Sequence, residues 1–303
     1  MTEPLASYAR VGLVHHMLHP ACLDDPDDHE RTLTALARRP DIETLDCCLP
    51  YGAERRARLH RVLGGCGKAH LCYAPFLYPA RKLPFTATNS SEQAQIRLLL
   101  ADQVEQAAAI GATGFITVSG GPPPDQATPA HHAAYADFLG WLCDELRPLG
   151  IDALIEPFDT NIDKCYLYGP SADCAALVAR LGRDNLGIEL DLAHVPLMGE
   201  TPAQAIRNVA PILRRVHLGN SVLDRADPRY GDTHPPIGYA GGLIDVPELA
   251  EGLALLLDVG YLNTVERGDL VLEITTYPDR SVEETIADNL DRLAQAWALV
   301  GAA

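Results

Sequence analysis

Eight short apolar runs, each followed by a longer polar or amphipathic stretch, set the plan of this sequence. The runs are Val11–Met17, Ile42–Leu49, Ala69–Ala74, Phe115–Ser119, Ala153–Pro157, Leu186–Leu192, Leu213–Leu218 and Leu270–Thr275. Short, mostly apolar strands are what a sheet covered on both faces requires. Between them lie amphipathic segments such as Glu92–Ile110, Tyr135–Leu149 and Val282–Leu299, with turn signals at Gly111, Gly150, Gly169-Pro170, Gly199 and Gly260. Eight strand–helix units in sequence predict an α/β chain closed into a single (β/α)₈ TIM barrel, one domain over residues 1–303. A doubly wound sheet would need a glycine-rich phosphate turn after an early strand, and no GxGxxG occurs. Pro122-Pro123-Pro124 and Pro235-Pro236 read as loops within that domain. Two connections are long: Pro75–Ser91 after the third strand and Gly219–Asp245 after the seventh. In a barrel both belong to the C-terminal face, where active sites are built.

Hydrophobic residues make up 47% of the chain but aromatics only 6%, so the core is expected to be mainly Leu, Val, Ile and Ala. A net charge of −17 repels phosphate backbones and anionic lipid surfaces alike, which argues against nucleic-acid and membrane partners. The eight cysteines are scattered with no CxxC pair, a pattern of reduced, mostly buried thiols. The opening MTEPLASYAR lacks a basic stretch followed by an apolar one, and no apolar run reaches membrane-spanning length. A cytoplasmic protein is expected.

The chemistry is expected where polar residues close apolar strands. Glu156 ends Ala-Leu-Ile-Glu, and Asp191 ends Gly-Ile-Glu-Leu-Asp with His194 three residues on. His217 follows Arg-Val, and Glu273 interrupts Val-Leu-Glu-Ile. These are strands five to eight, neighbours around a barrel. A carboxylate on a buried strand is costly unless it is paired or binds a metal. Three carboxylates converging on one mouth repel each other, and a divalent cation with one imidazole resolves the conflict. Ligation by three carboxylates and one imidazole suits Mn²⁺ best, with Mg²⁺, Co²⁺ or Zn²⁺ as alternatives. Any single acidic residue at a strand end reads better as a helix cap or an ion-pair partner; the four together do not.

With IEPFD around Glu156, ELDLAH holding Asp191 and His194, RVHLGN holding His217 and LEIT holding Glu273, the chain resembles the xylose-isomerase-like barrel superfamily of sugar phosphate isomerases and epimerases. The resemblance implies that Glu156, Asp191, His217 and Glu273 ligate the metal and that His194 hydrogen-bonds a substrate oxygen. In the ketose 3-epimerase branch it also implies that Glu156 and Glu273 exchange protons with opposite faces of a carbon next to a carbonyl. The chain departs from that branch at Ile162, where a second glutamate is expected, and at Leu223, where an arginine is expected. Asp159, Asp163, Lys164 and Arg225 are the nearby substitutes. The loop GNSVLDRADPRYGDTHPPIGYAGG, with Asp232 and His234, resembles a subgroup that includes metal-binding subunits of C-glycoside deglycosidases. That resemblance implies a lyase and a second polypeptide as partner.

Weaker candidates are Asp232, His234 and Lys164 as substrate contacts. His15, His16 and His19 follow the first strand, and strand alternation forbids His15 and His16 from both pointing inward. His131 and His132 read as surface residues, Cys47 and Cys48 as packing thiols, and Tyr73, Phe76 and Tyr78 as sugar-stacking or core rings. The leading expectation is a metal-dependent isomerase or epimerase of a ketose, inosose or related polyol, assembled as a homo-oligomer. A dehydratase or a β-eliminating deglycosidase subunit in a hetero-oligomer is the alternative. A DNA-repair nuclease is disfavoured by the acidic surface and the few strand-end histidines, and a non-catalytic sugar-binding barrel remains the non-enzyme alternative.

Overall fold

A computed structural model describes residues 3–75 and 83–301. Its eight parallel strands close in sequence order, β1 pairing with β8. They are β1 Ala9–Val14, β2 Thr44–Cys47, β3 His70–Tyr73, β4 Gly114–Thr117, β5 Asp152–Ile155, β6 Leu186–Asp191, β7 Leu213–Leu218 and β8 Gly268–Leu272. The expected barrel is therefore the observed one. β7 has the expected bounds; the other strands are shorter than their apolar runs, because each of those runs continues past the end of the strand into the loop. β1 departs most: it ends at Val14, and His15–Leu18 turn at once into a short helix, α1.

The outer layer is built by α2 Pro26–Ala37, α3 Ala53–Gly64, α4 Ser90–Ala109, α5 Pro129–Leu146 and α6 Ser171–Leu181. It continues through the short α7 His194–Leu197 to α8 Pro202–Val209, α9 Val246–Asp258 and α10 Val282–Val300. α5 begins six residues before the expected Tyr135, because Thr128 and the His131 side chain form a capping box ahead of Pro129. His131 and His132 are accordingly half-buried, not surface residues. No helix among the described residues is long and apolar enough to cross a membrane.

The aliphatic core lies between strands and helices, as composition suggested. The barrel interior differs from that expectation: it is ionic. Asp46 on β2, Glu189 on β6, Arg215 on β7 and Asp269 on β8 are all buried. Arg215 bonds both oxygens of Asp46 and lies 2.9 Å from Asp269 Oδ2. His70 Nδ1 meets the same Asp269 oxygen at 2.8 Å, and Arg10 closes the lower end at 3.1 Å from Asp269 Oδ1. Buried charges persist only when paired in this way. Ion pairs from Arg10, His70 and Arg215 to Asp46 and Asp269 thus stand under the mouth, between the strands that carry the site.

Candidate active site at the C-terminal mouth

Asp191 is the last residue of β6, His217 lies within β7, and Glu156 and Glu273 follow β5 and β8 by one residue. Consecutive parallel strands deliver these side chains to one rim. One ligand atom from each of the four lies within 4.8 Å of the other three, and all four residues are buried. The quartet singled out in the sequence is thus brought together.

Its electrostatics are those of a cation site. Burial, then the charges of Glu189 and Glu273, push the Glu156 carboxyl well above the ordinary carboxylate range. Asp191 is also raised, chiefly by burial. Its Oδ1 accepts from Ala193 N at 2.7 Å, while Oδ2 accepts no hydrogen bond although His194 Nε2 and His234 Nδ1 each lie 3.5 Å away. Burial opposes charge on His217, but Glu189 and Glu273 outweigh it and hold the imidazole well above its usual value. Burial likewise opposes charge on Glu273, yet His234 and His217 hold its carboxyl well below the carboxylate range. A buried carboxylate oxygen without a donor, next to two further carboxylates and an imidazole, fits a hard divalent ion with oxygen-rich ligation.

Two residues that the sequence reading passed over complete the surroundings. Asp46 Oδ2 accepts from His217 Nε2 at 2.8 Å. That bond leaves Nδ1 facing Glu273 and fixes which nitrogen is available to an ion. Glu189, below Asp191 on the same strand, has Oε1 3.4 Å from His217 Nδ1, and neither of its oxygens accepts a hydrogen bond. Burial raises it to about 8. Glu189 was legible as a position two residues from Asp191, since a strand returns to the same face every second residue.

The expected substrate contacts are differently engaged. Asp232 Oδ1 lies 2.7 Å from His234 Nε2 and 3.1 Å from His194 Nε2. Despite burial, Asp232 raises His194 to about 9 and His234 to about 10, so both are cations at neutral pH. His194 Nδ1 sits 3.0 Å from Pro157 O. Asp191, His194 and His234 also form a second group able to hold an ion. His234 has φ +48, a left-handed conformation costly for a residue with a Cβ, and such strain is concentrated at functional sites. Lys164 is not a free oxyanion binder: its Nζ lies 2.8 Å from Asp232 Oδ2 and 3.1 Å from Asp163 Oδ2.

Other candidates fall away. Asp159 accepts backbone N–H bonds from Asp163 and Lys164, both at 2.8 Å, and pins its loop in place of serving substrate. Arg225 is exposed over the Tyr230 ring. His15 bonds Thr32 behind the barrel, and His19 is half-buried nearby. His16 is the one whose field comes from Glu273, His234, His217 and Asp46, and burial lowers it to about 4. Cys47 and Cys48 are buried, and burial raises the Cys47 thiol far from reactivity. The Tyr73 hydroxyl donates to Gln103 within the core. Phe76 and Tyr78 lie outside the described residues.

The profile of the family described as xylose isomerase-like TIM barrel matches residues 35–296. A 2-oxo-tetronate isomerase of Pectobacterium atrosepticum is 23% identical over 137 residues, 45% of this chain and 52% of that relative, so the match spans about half the relative's length. A D-tagatose 3-epimerase-like protein superposes with a TM-score of 0.71 at 14% identity, over 96% of this chain and 98% of its own. The 3-keto-D-glucoside 4-epimerase of E. coli does so with a TM-score of 0.66 at 12% identity, over 97% and 100%. Likeness at such identity shows a shared fold.

Proposed function

Since the chain belongs to the xylose isomerase-like TIM-barrel family, we propose that it is a divalent-metal-dependent sugar isomerase or epimerase. It moves a proton on the carbon next to a carbonyl in a ketose, inosose or related polyol. The observation that carries this reading is the convergence of Glu156, Asp191, His217 and Glu273 within 4.8 Å of one another in a buried rim. These four would hold the ion, Mn²⁺ suiting the donor set best. When bound, the ion supplies Lewis-acid polarisation of the substrate carbonyl and acidifies the neighbouring C–H.

Glu156 and Glu273 are the acid/base pair. Glu273, following β8, would accept the proton on its carboxylate from one face of the carbon, and Glu156, following β5, would return one to the other. Removal by one and return by the other on the opposite face inverts the carbon. His194, whose Nε2 makes no hydrogen bond, orients a substrate hydroxyl by donating to it, while His234 is committed to Glu273 O and Asp232, and the apolar lining beside Phe158 limits water. Incubation of the metal-loaded protein with ketoses in D₂O, followed by proton NMR, tests the reading. Deuterium on the carbon beside the carbonyl, with substrate mass otherwise unchanged, is expected; no exchange in any ketose tried contradicts it.

A lyase on the same scaffold is the second reading. It begins with the same proton abstraction and needs an acid for the departing group, which His194 and His234 are charged to provide. Loss of a leaving group in the same NMR experiment selects it.

A further inference from the structure

Apart from the residues of the mouth, three buried side chains converge between α1 and α2. His15 opens α1, Cys22 lies in the 3₁₀ turn Pro20–Leu23, and His29 lies in α2, each seven positions from the next. One ligand atom from each lies within 4.8 Å of the other two. Cys22 Sγ is 3.9 Å from His15 Nδ1, and the two imidazole centroids are 4.8 Å apart.

The hydrogen bonds decide how these rings present themselves. Thr32 Oγ1 donates to Asp28 O at 2.7 Å, so it accepts from His15 Nε2 at 2.8 Å. The His15 proton is thereby on Nε2, and Nδ1 turns its lone pair toward the Cys22 thiol. His29 Nε2 stands 2.8 Å from Cys48 O, and its Nδ1 3.0 Å from Cys22 O. Carbonyls only accept, and a neutral imidazole donates from one nitrogen. Burial opposes the charge that would let both nitrogens donate. With the proton on Nε2, at the shorter contact, Nδ1 presents a lone pair to the Cys22 carbonyl, an arrangement that packing alone does not favour. Each imidazole then has its Nε2 held by an oxygen acceptor and its Nδ1 turned toward residue 22. Metal-binding histidines are oriented in this way.

We infer that His15, Cys22 and His29 form a metal site of their own, for zinc or a similarly borderline-soft divalent ion, separate from the carboxylates of the mouth. Two imidazoles and a thiolate suit Zn²⁺, whereas three carboxylates and one imidazole suit a harder ion. Binding replaces the Cys22 S–H bond by a metal–sulfur bond, and the proton leaves to solvent. The ion ties the turn that follows β1 to α2, a structural role in keeping with three buried ligands.

Cobalt substitution tests this on the metal-free full chain, because a thiolate bound to Co²⁺ gives a near-ultraviolet charge-transfer band that carboxylates and imidazoles do not. The band should grow on titration with Co²⁺ and vanish when excess Zn²⁺ is added. Cys22→Ser should remove it, with the circular dichroism spectrum retained. Thr32→Val, which replaces the oxygen that orients His15 by a methyl, should weaken the Co²⁺ affinity read from this band by roughly 10–100-fold. No charge-transfer band in the wild-type chain, or a band surviving in folded Cys22→Ser, overturns the inference. Should Cys22→Ser not fold, an unchanged Co²⁺ affinity in Thr32→Val does so. None of the four residues proposed as ligands at the mouth carries sulfur, so this signature stands or falls independently of the D₂O exchange.

Discussion

Glu273 and Glu156 project from strands that flank the mouth on either side of β6 and β7, yet they experience opposite fields: histidines surround one, carboxylates and apolar bulk the other. Glu273→Gln keeps the shape and removes the base, so turnover should fall by about 10³-fold or more while the melting temperature holds; wild-type exchange in D₂O by this variant would take Glu273 out of the mechanism. Asp46 acts one step back, through the nitrogen of His217 that it holds. Asp46→Asn should weaken divalent-metal binding by roughly 10–100-fold in calorimetry, and unchanged affinity would make Asp46 a purely structural member of the column. The four expected ligands were readable because each is a charge at the close of an apolar run. Asp46 was not, because it lies inside Thr-Leu-Asp-Cys, where a lone acid looks like any strand-end cap. The alternation Thr44/Asp46, Glu189/Asp191 and Arg215/His217 is the signal that reveals the ionic column, once the inward face is known.

At the level of elements, the junction of β7 with the loop of residues 219–245 decides the geometry of the second shell of charges. A Cβ at Gly219 would stand 2.7 Å from His234 Nδ1, 2.9 Å from Ala193 Cβ and 3.1 Å from Asp191 Oδ1. Gly219→Ala should therefore displace His234 or Asp191. A loss of catalytic rate exceeding any loss of melting temperature is expected, read from kcat and a thermal melt in parallel; full activity would show that the site tolerates the shift. The long loop itself was legible from its length and its glycines and prolines. What its residues do was not: Asp232, His234 and Lys164 looked like three separate substrate contacts, whereas Asp232 gathers His194, His234 and Lys164 around one carboxylate. The pairings of Asp232 with His194 and Lys164 span 38 and 68 positions of sequence and leave no local pattern to read. The end of β1 at Val14 was hidden for the converse reason, since His15–Leu18 is too short to show a helical period.

Across the whole molecule, the eightfold alternation fixed the barrel, and the barrel brings strands five to eight side by side. Its stability should carry the signature of the mouth. His194 and His234 have folded-state values of about 9 and about 10, above their ordinary 6.5. Their pairing with Asp232 therefore stabilises fully below pH 6.5 and is lost as pH rises through 9 and 10. The metal-free protein should melt progressively lower from neutral pH to pH 10, and Asp232→Asn should flatten that slope; an equal slope in both would detach the network from stability.

Anomalous diffraction from crystals soaked in Mn²⁺ tests the central claim most directly. The account predicts one strong peak at roughly 2.0–2.3 Å from an oxygen of Glu156, Asp191 and Glu273 and a nitrogen of His217. A peak bound only by Asp191, His194 and His234, or no peak at the mouth at all, would contradict it.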